Sequence, residues 1–398
     1  MVKSDGSESQ NLQKYGVPFY GAAWVPYSHV RSKLVSPEDN NKDDDGEDRN
    51  GSDDEASSAA DYYVVLAGGG GEGRSGIPNA VVLSHFDFAS NSLSDQPVAK
   101  LGTGSDLPYR MAVHPSGDGI ICALQNSCRL FEWDAVKSAE VHQLGVKESE
   151  KVLSQLENVG QQLVLAFDYE GSILAAGGED GNLRVFKWPS MEIILNEAQA
   201  HASVKDLSFS PDGKILVSLG SRGPGRVWDL TSSTVVASLA KENDEIFVSC
   251  RFSPINDQNH VLYIAAITDR GGSVVTWNTT SWKRMRSKHV VREPVSCFNI
   301  SFDGKLLAIG TAQGDISIIN STSMKVHTMV KKAHLGIVTA LAFSHDSRAL
   351  VSASMDSSAR VTLVEDKKQS GGLNLWIIIF IILLAIAAYF MKDKGIIP

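Results

Sequence analysis

Between residues 111 and 366 one pattern keeps returning: an apolar strand, a Ser/Asp/Gly turn, a second apolar strand, another turn, and a third strand ending in Trp or an aliphatic residue. LAFDYEGSILAAGGEDGNLRVFKWP (165–189), DLSFSPDGKILVSLGSRGPGRVWDL (206–230) and FNISFDGKLLAIGTAQGDISIINS (298–321) align turn by turn, and further copies run over 111–134, 249–278 and 341–366. Matching third-strand positions are Trp133, Trp188, Trp228, Trp277, Ile319 and Leu363, spaced 40 to 55 residues apart. A unit this short cannot bury both faces of its own sheet. It must stack on neighbours, and an array with apolar faces at both ends must close into a ring. A degenerate first copy, FYGAAWVP, YYVVLAGG, NAVVLSHF and PVAKL, brings the count to seven.

Period and punctuation are those of the WD-repeat blade. The expected fold class is therefore all-β: a seven-bladed WD-repeat β-propeller, followed by a C-terminal single transmembrane helix. The last copy has only three strands, so its outer strand should come from the N-terminus, just before Tyr20. Within the blades, His201 with Ser218 and Trp228, and His334 with Ser352 and Asp356, read as buried hydrogen-bonded sets that tie interblade loops to the strands, since buried polar groups are normally satisfied. No H-E-x-x-H, G-x-S-x-G or kinase signature supports covalent chemistry. Cys122, Cys128, Cys250 and Cys297 lie in apolar strands without metal-ligand spacing and read as buried thiols.

The net charge is −9, of which −8 falls on residues 38–55, EDNNKDDDGEDRNGSDDE. That stretch reads as a disordered acidic insertion within the first blade, close in sequence to the glycine-rich residues 68–79 and able to tune access to them. With the remainder nearly neutral, no nucleic-acid partner is expected. Residues 373–391, LNLWIIIFIILLAIAAYFM, are 19 uncharged residues flanked by lysines, enough to cross a hydrocarbon core of about 30 Å. The first thirty residues hold no apolar leader. The expected organisation is a cytosolic propeller over 1–366, a linker over 367–372, the span, and a short lumenal tail over 392–398.

One stretch is left over. YYVVLAGGGGEGRSGIPN (62–79) contains G-x-G-x-x-G at Gly71, Gly73 and Gly76. A dinucleotide-binding turn requires that the last glycine open a helix facing a pyrophosphate. Here Ile77 and Pro78 lead into NAVVLSHF, an alternating strand, and no Gly-Lys-Ser/Thr is present. The stretch reads instead as a β-hairpin with an unusually glycine-rich loop.

GGGGEGRSGIPN, preceded by a VVLA strand and YGVPFYGAAW and set in a propeller with a C-terminal span, resembles the glycine loop of the endoplasmic-reticulum transmembrane WD-repeat exchange factors for the Sar-type GTPase, the proteins that start COPII coat assembly. The resemblance covers nearly the whole chain and is closest to plant-like members. It implies guanine-nucleotide exchange on a Sar-type small GTPase, without covalent chemistry, at the endoplasmic-reticulum membrane during ER-to-Golgi transport. It further implies a single-pass protein with a cytosolic propeller and lumenal C-terminus, and a potassium ion held by backbone oxygens of the Gly68 to Asn79 loop, with individual ligands left open. Carried over by position, Asn79 is the exchange-critical residue, offered to the partner as donor and acceptor. Gly68, Gly69, Gly70, Gly71, Glu72, Gly73, Gly76, Ile77 and Pro78 form the GTPase-binding loop. The alternative is a non-catalytic WD-repeat facilitator of membrane-cargo exit, a role of relatives that lost the loop.

Overall fold

In the computed structural model, the described residues are 10–34, 61–71, 75–137, 142–242, 244–254 and 261–364. They form seven antiparallel sheets in chain order. Blade 1 is built from Phe19–Trp24, Tyr62–Gly68 and Ala80–Asp87, with an outer edge shared by Ser92–Leu93 and Ala99–Gly102. Blades 2 to 6 follow as four-stranded sheets beginning at Arg110, Gln162, Val204, Ile246 and Val295. Blade 7 takes Val338–Phe343, Ala349–Ser354 and Ser358–Leu363 from the end of the chain and Leu12–Lys14 from its beginning. The borrowed strand does come from the N-terminal part, but from Leu12–Lys14 in a polar stretch and not from the residues next to Tyr20, which itself lies in the inner strand of blade 1. Leu12 faces Arg360 and Lys14 faces Ser358, so the ring closes within residues 10–364.

First strands of all seven blades line a central channel of about 420 Å³. Closure is reinforced there, where Thr339 Oγ1 donates to the Phe19 carbonyl (2.7 Å) and Trp24 Nε1 to the Ala342 carbonyl (3.0 Å). Tyr15, in the crossing from blade 7 to blade 1, lies 2.6 Å from Ser84 Oγ and donates to the Ser94 carbonyl (2.8 Å).

Register revises three of the matched third-strand positions. Opposite the equivalent second-strand positions Ile120, Leu174, Leu216, Leu262, Leu307 and Leu350 stand Phe131, Phe186, Trp228, Trp277, Ile319 and Thr362. Trp133 and Trp188 therefore lie two residues beyond the equivalent place and Leu363 one beyond. Side chains alternate with period two, so a slip of two keeps the same face and leaves the apolar pattern intact. Trp188 uses its displacement: its Nε1 donates to Asp118 Oδ2 (3.1 Å) across the blade 2 to blade 3 boundary.

The insertion in blade 1 begins with a helix, Tyr27–Leu34, which the repeat pattern does not anticipate. Val30 is buried against the Gly117 turn of blade 2, and Lys33 pairs with Asp118. Residues 38–55, the linker 367–372, the span 373–391 and the tail 392–398 lie outside the described residues. Among the described residues no helix is long and apolar enough to cross a membrane.

Both histidine sets are assembled. His201 Nε2 lies 2.8 Å from Ser218 Oγ, which also accepts Trp228 Nε1–H (2.8 Å). His334 touches Ser352 through Nε2 (2.8 Å) and Ser358 through Nδ1 (2.6 Å), and Ser358 donates to Asp356. All four cysteines are free, and burial raises their thiol pKa, that of Cys128 to about 12.

Burial lowers both histidines from 6.5 to about 4, and the Asp356 carboxylate does not reverse this for His334. The folded state thus holds them neutral where the unfolded chain protonates them. Their contribution is complete above the unfolded pKa and is lost as pH falls from about 6.5 toward 4. Urea unfolding between pH 7 and 5 should show stability falling with acid by up to about 1.4 kcal/mol per pH unit for each histidine. The slope should shrink in His201→Asn/His334→Asn. A second expectation concerns closure: deleting residues 1–14 should lower the thermal midpoint by at least about 5 °C, since it strips the outer strand from blade 7.

Candidate functional site: the glycine-rich hairpin of blade 1

Strands Tyr62–Gly68 and Ala80–Asp87 pair in continuous register, ending with Gly68 opposite Ala80. The glycines therefore join two antiparallel strands. No helix opens after Gly76, in keeping with the absence of a dinucleotide-binding context in the sequence. Gly68 and Gly69 pass against the closing segment: a Cβ on Gly68 would run into the Pro18 carbonyl oxygen, and Gly69 N donates to that same oxygen (2.9 Å). Gly69 also has a φ of +156°, and a Cβ there would strike the Asn79 side chain. Only glycine fits at either position. Glu72 and Gly73, with Arg74, lie outside the described residues.

Asn79 is the organiser of the loop. It is only 3% exposed. Its Oδ1 accepts the Gly71 N–H (3.0 Å), while Nδ2 donates to the carbonyls of Gly71 (3.4 Å) and Gly104 (3.0 Å). Flipping the amide would set Nδ2 against the Gly71 N–H, so the network fixes its orientation. The Asn79 carbonyl meanwhile accepts Thr103 N–H (3.0 Å), fastening the loop to the crossing between blades 1 and 2. The expectation that Asn79 offers donor and acceptor outward is thus not what the geometry shows. Its amide is spent on Gly71 and Gly104, and among the described loop residues Gly70, Ser75, Gly76, Ile77 and Pro78 are exposed.

Ser75 adds a second clamp. Its Oγ donates to the Gly70 carbonyl (3.3 Å) and accepts Ile77 N–H (3.2 Å). A serine two residues before an unpaired N–H is a readable turn signal, one that the glycine pattern overshadows in the sequence. Gly104 and Pro18 could not be found that way, because they reach the loop only through ring closure and blade order. Ile77, at 37% exposure, is the one large apolar side chain the described loop presents.

The described flanks of the hairpin and of the insertion lie at opposite ends of strand Tyr62–Gly68. The loop leaves at Gly68, whereas the insertion re-enters at Tyr62, and the strand between them spans seven residues, or about 20 Å. Nothing in the described part places the insertion over the loop.

The WD domain, G-beta repeat pattern matches residues 161–187, 194–229 and 325–362, within blades 3, 4 and 6 to 7. Among curated proteins, "SEC12-like protein 2" of Arabidopsis thaliana is 57% identical over 399 residues, covering 99% of each chain. "SEC12-like protein 1" of the same plant is 31% identical, with 80% of each chain covered. The chain belongs to the SEC12 family. It groups with the plant SEC12-like proteins, and the mouse "Guanine nucleotide-exchange factor SEC12" is 27% identical over 61% of this chain and 64% of its own length. A solved structure, Chaetomium thermophilum Sqt1, superposes with a TM-score of 0.64 at 14% identity, covering 90% of this SEC12-family chain and 98% of that one, a likeness of fold alone.

Asn79→Ala removes three hydrogen bonds, each worth about 1 kcal/mol net. Hydrogen–deuterium exchange at the loop amides, Gly71 above all, should accelerate about tenfold or more, while amides in Tyr62–Gly68 stay protected. Unchanged exchange at Gly71 would refute the organising role.

Proposed function

We propose that the chain is a guanine-nucleotide exchange factor for a Sar-type small GTPase, acting at the endoplasmic-reticulum membrane to start COPII assembly. The observation that carries this reading is the glycine-rich hairpin, whose described residues are clamped by Asn79 and present Ile77 and Pro78, on a propeller of the family that includes the mouse exchange factor. An exchange factor makes and breaks no covalent bond. It binds the nucleotide-free GTPase more tightly than the loaded one, and linkage lowers nucleotide affinity by the same factor. A rigid projection suits that task because it does not have to be ordered at the encounter. In this reading Asn79 is a positioning residue, and Ile77 and Pro78 make the contact. Residues 373–391 are the proposed anchor, with the propeller cytosolic and residues 392–398 lumenal.

Potassium belongs to the same proposal. The carbonyls of Gly71 and Gly104 converge on Asn79 Nδ2, and that of Gly70 lies beside Ser75. Each carbonyl keeps a second lone pair. No cluster of three or more His, Cys, Asp or Glu suited to a metal occurs among the described residues. A set of neutral oxygens fits a monovalent cation rather than a transition metal. When bound, such an ion would hold the carbonyl dipoles together and stiffen the loop.

The test is nucleotide release from a purified Sar-type GTPase, followed by fluorescence, with the propeller of residues 1–366. Acceleration is expected, with about a tenfold or greater loss in Asn79→Ala and in Ile77→Asp. Ile77→Asp should leave the melting temperature and loop exchange unchanged, which separates contact from positioning. Release should slow when sodium replaces potassium. A folded propeller that fails to accelerate a responsive GTPase would overturn the exchange reading in favour of a cargo-exit facilitator.

A further inference from the structure

The near-neutral charge outside the insertion conceals an uneven distribution. The outer strands of blades 5 and 6, Arg284–Val291 and Val326–Val330, are neighbours on the rim: Lys288 Nζ, on the first, donates to the carbonyls of Ser323 (3.4 Å) and Met324 (3.1 Å) in the turn leading to the second. Residues 282–292 and 321–333, which contain these strands, hold eight Lys or Arg and no Asp or Glu. Arg284 is neutralised by Glu245 (2.7 Å) and Glu242 (3.3 Å). Lys283, Arg286, Arg292, Lys325, Lys331 and Lys332 are all exposed, and none forms a side-chain ion pair among the described residues. Asp315, which accepts the Lys332 N–H (2.6 Å), and Glu293 are the acidic groups closest in sequence or hydrogen bonding.

Aliphatic side chains stand exposed among these cations: Met285 at 52%, Val326 at 48% and Met329 at 46%. The outer strands of blades 3 and 4 lack the combination. Thr234–Leu239 in blade 4 carries no charge, and Ile193–Glu197 in blade 3 carries only an acidic one.

We propose that this rim of blades 5 and 6 docks on an anionic lipid bilayer. Each exposed cation is drawn to a negative leaflet, and flexible aliphatic side chains between them can enter the boundary between headgroups and acyl chains. The rim is built from edge strands and offers no exposed Phe, Tyr or Trp, so it lacks the stacking platform that single-stranded nucleic acid uses. Location agrees with the assignment: the last described strand, Ser358–Leu363, belongs to blade 7, the neighbour of blade 6. Contact along the rim would set the channel axis roughly along the bilayer, leaving the glycine hairpin free at one end of the ring. The proposal rests on charge and exposure and is independent of exchange activity.

Because the ring closes within residues 10–364, the test uses residues 1–366, free of the 373–391 segment. Sedimentation with vesicles of phosphatidylcholine alone is compared with vesicles holding about 30% phosphatidylserine, in about 0.05 M and about 0.5 M salt. Binding to the anionic vesicles should be at least about tenfold tighter and should vanish in high salt. Arg286→Glu/Lys325→Glu/Lys331→Glu should abolish it, whereas Lys100→Glu/Lys205→Glu/Lys214→Glu, an equal change in net charge placed elsewhere, should not. Met285→Ser/Met329→Ser should weaken it about threefold. If the rim triple fails to fold, its Gln counterpart gives the same readout. The proposal is overturned by absent or charge-independent binding, by equal loss in both triples, or by an acidic peptide or oligonucleotide that binds the rim more tightly than the vesicles.

Discussion

Three backbone pairs, Leu12 with Arg360, Gln13 with Ala359 and Lys14 with Ser358, join the two ends of the ring. Without them blade 7 would show an open edge, and the inner strand of blade 1 would lose the neighbour that receives Trp24 Nε1–H at the Ala342 carbonyl. The closing segment also builds the site. After Lys14 the chain crosses to blade 1 through Pro18, and the Pro18 carbonyl accepts Gly69 N–H at the entrance of the glycine hairpin. Ring closure and loop placement are therefore one mechanical unit, which explains why bare backbone is needed at Gly68, while at Gly69 it is the packed Asn79 side chain that requires it.

The hairpin turns a familiar glycine spacing to another use. Where a phosphate-binding turn aims free N–H groups at a ligand, this loop sends the Gly71 N–H to Asn79 and gathers the carbonyls of Gly71 and Gly104 on the same amide. Among the described residues, Ile77 and Pro78 are then the apolar features left facing outward. In the proposed function such a loop acts through shape, and Asn79 acts by governing its conformation.

Charge is also distributed by the fold. The acidic stretch 38–55 dominates the net charge, yet the basic residues of blades 5 and 6 collect on one rim because outer strands face solvent and these two are adjacent. Arg284 and Lys288 serve blade packing through Glu245 and the Met324 carbonyl. The remaining cations have no such structural employment.

Much was determined by sequence alone. Alternating strands at a blade-length period dictate seven sheets and force closure, because each sheet exposes apolar faces that only neighbours can cover. Pro78 and the alternation of Val81 to Phe86 dictate a hairpin instead of a phosphate-binding helix. His201 with Ser218 and Trp228 was likewise legible, since all three recur at blade-defined positions. Tertiary structure decided the rest. Period-two alternation tolerates a slip of two, so only register distinguished Phe186 from Trp188. Asn79 turns inward because Gly104, 25 residues away in sequence, is brought beside it by the blade 1 outer strand. Tyr62, which follows the insertion, and Gly68, which opens the hairpin, are held apart by the length of a strand. The rim charge exists only once two outer strands, distant in the chain, stand side by side; sequence carries local preference, whereas proximity between remote segments is supplied by the closed ring.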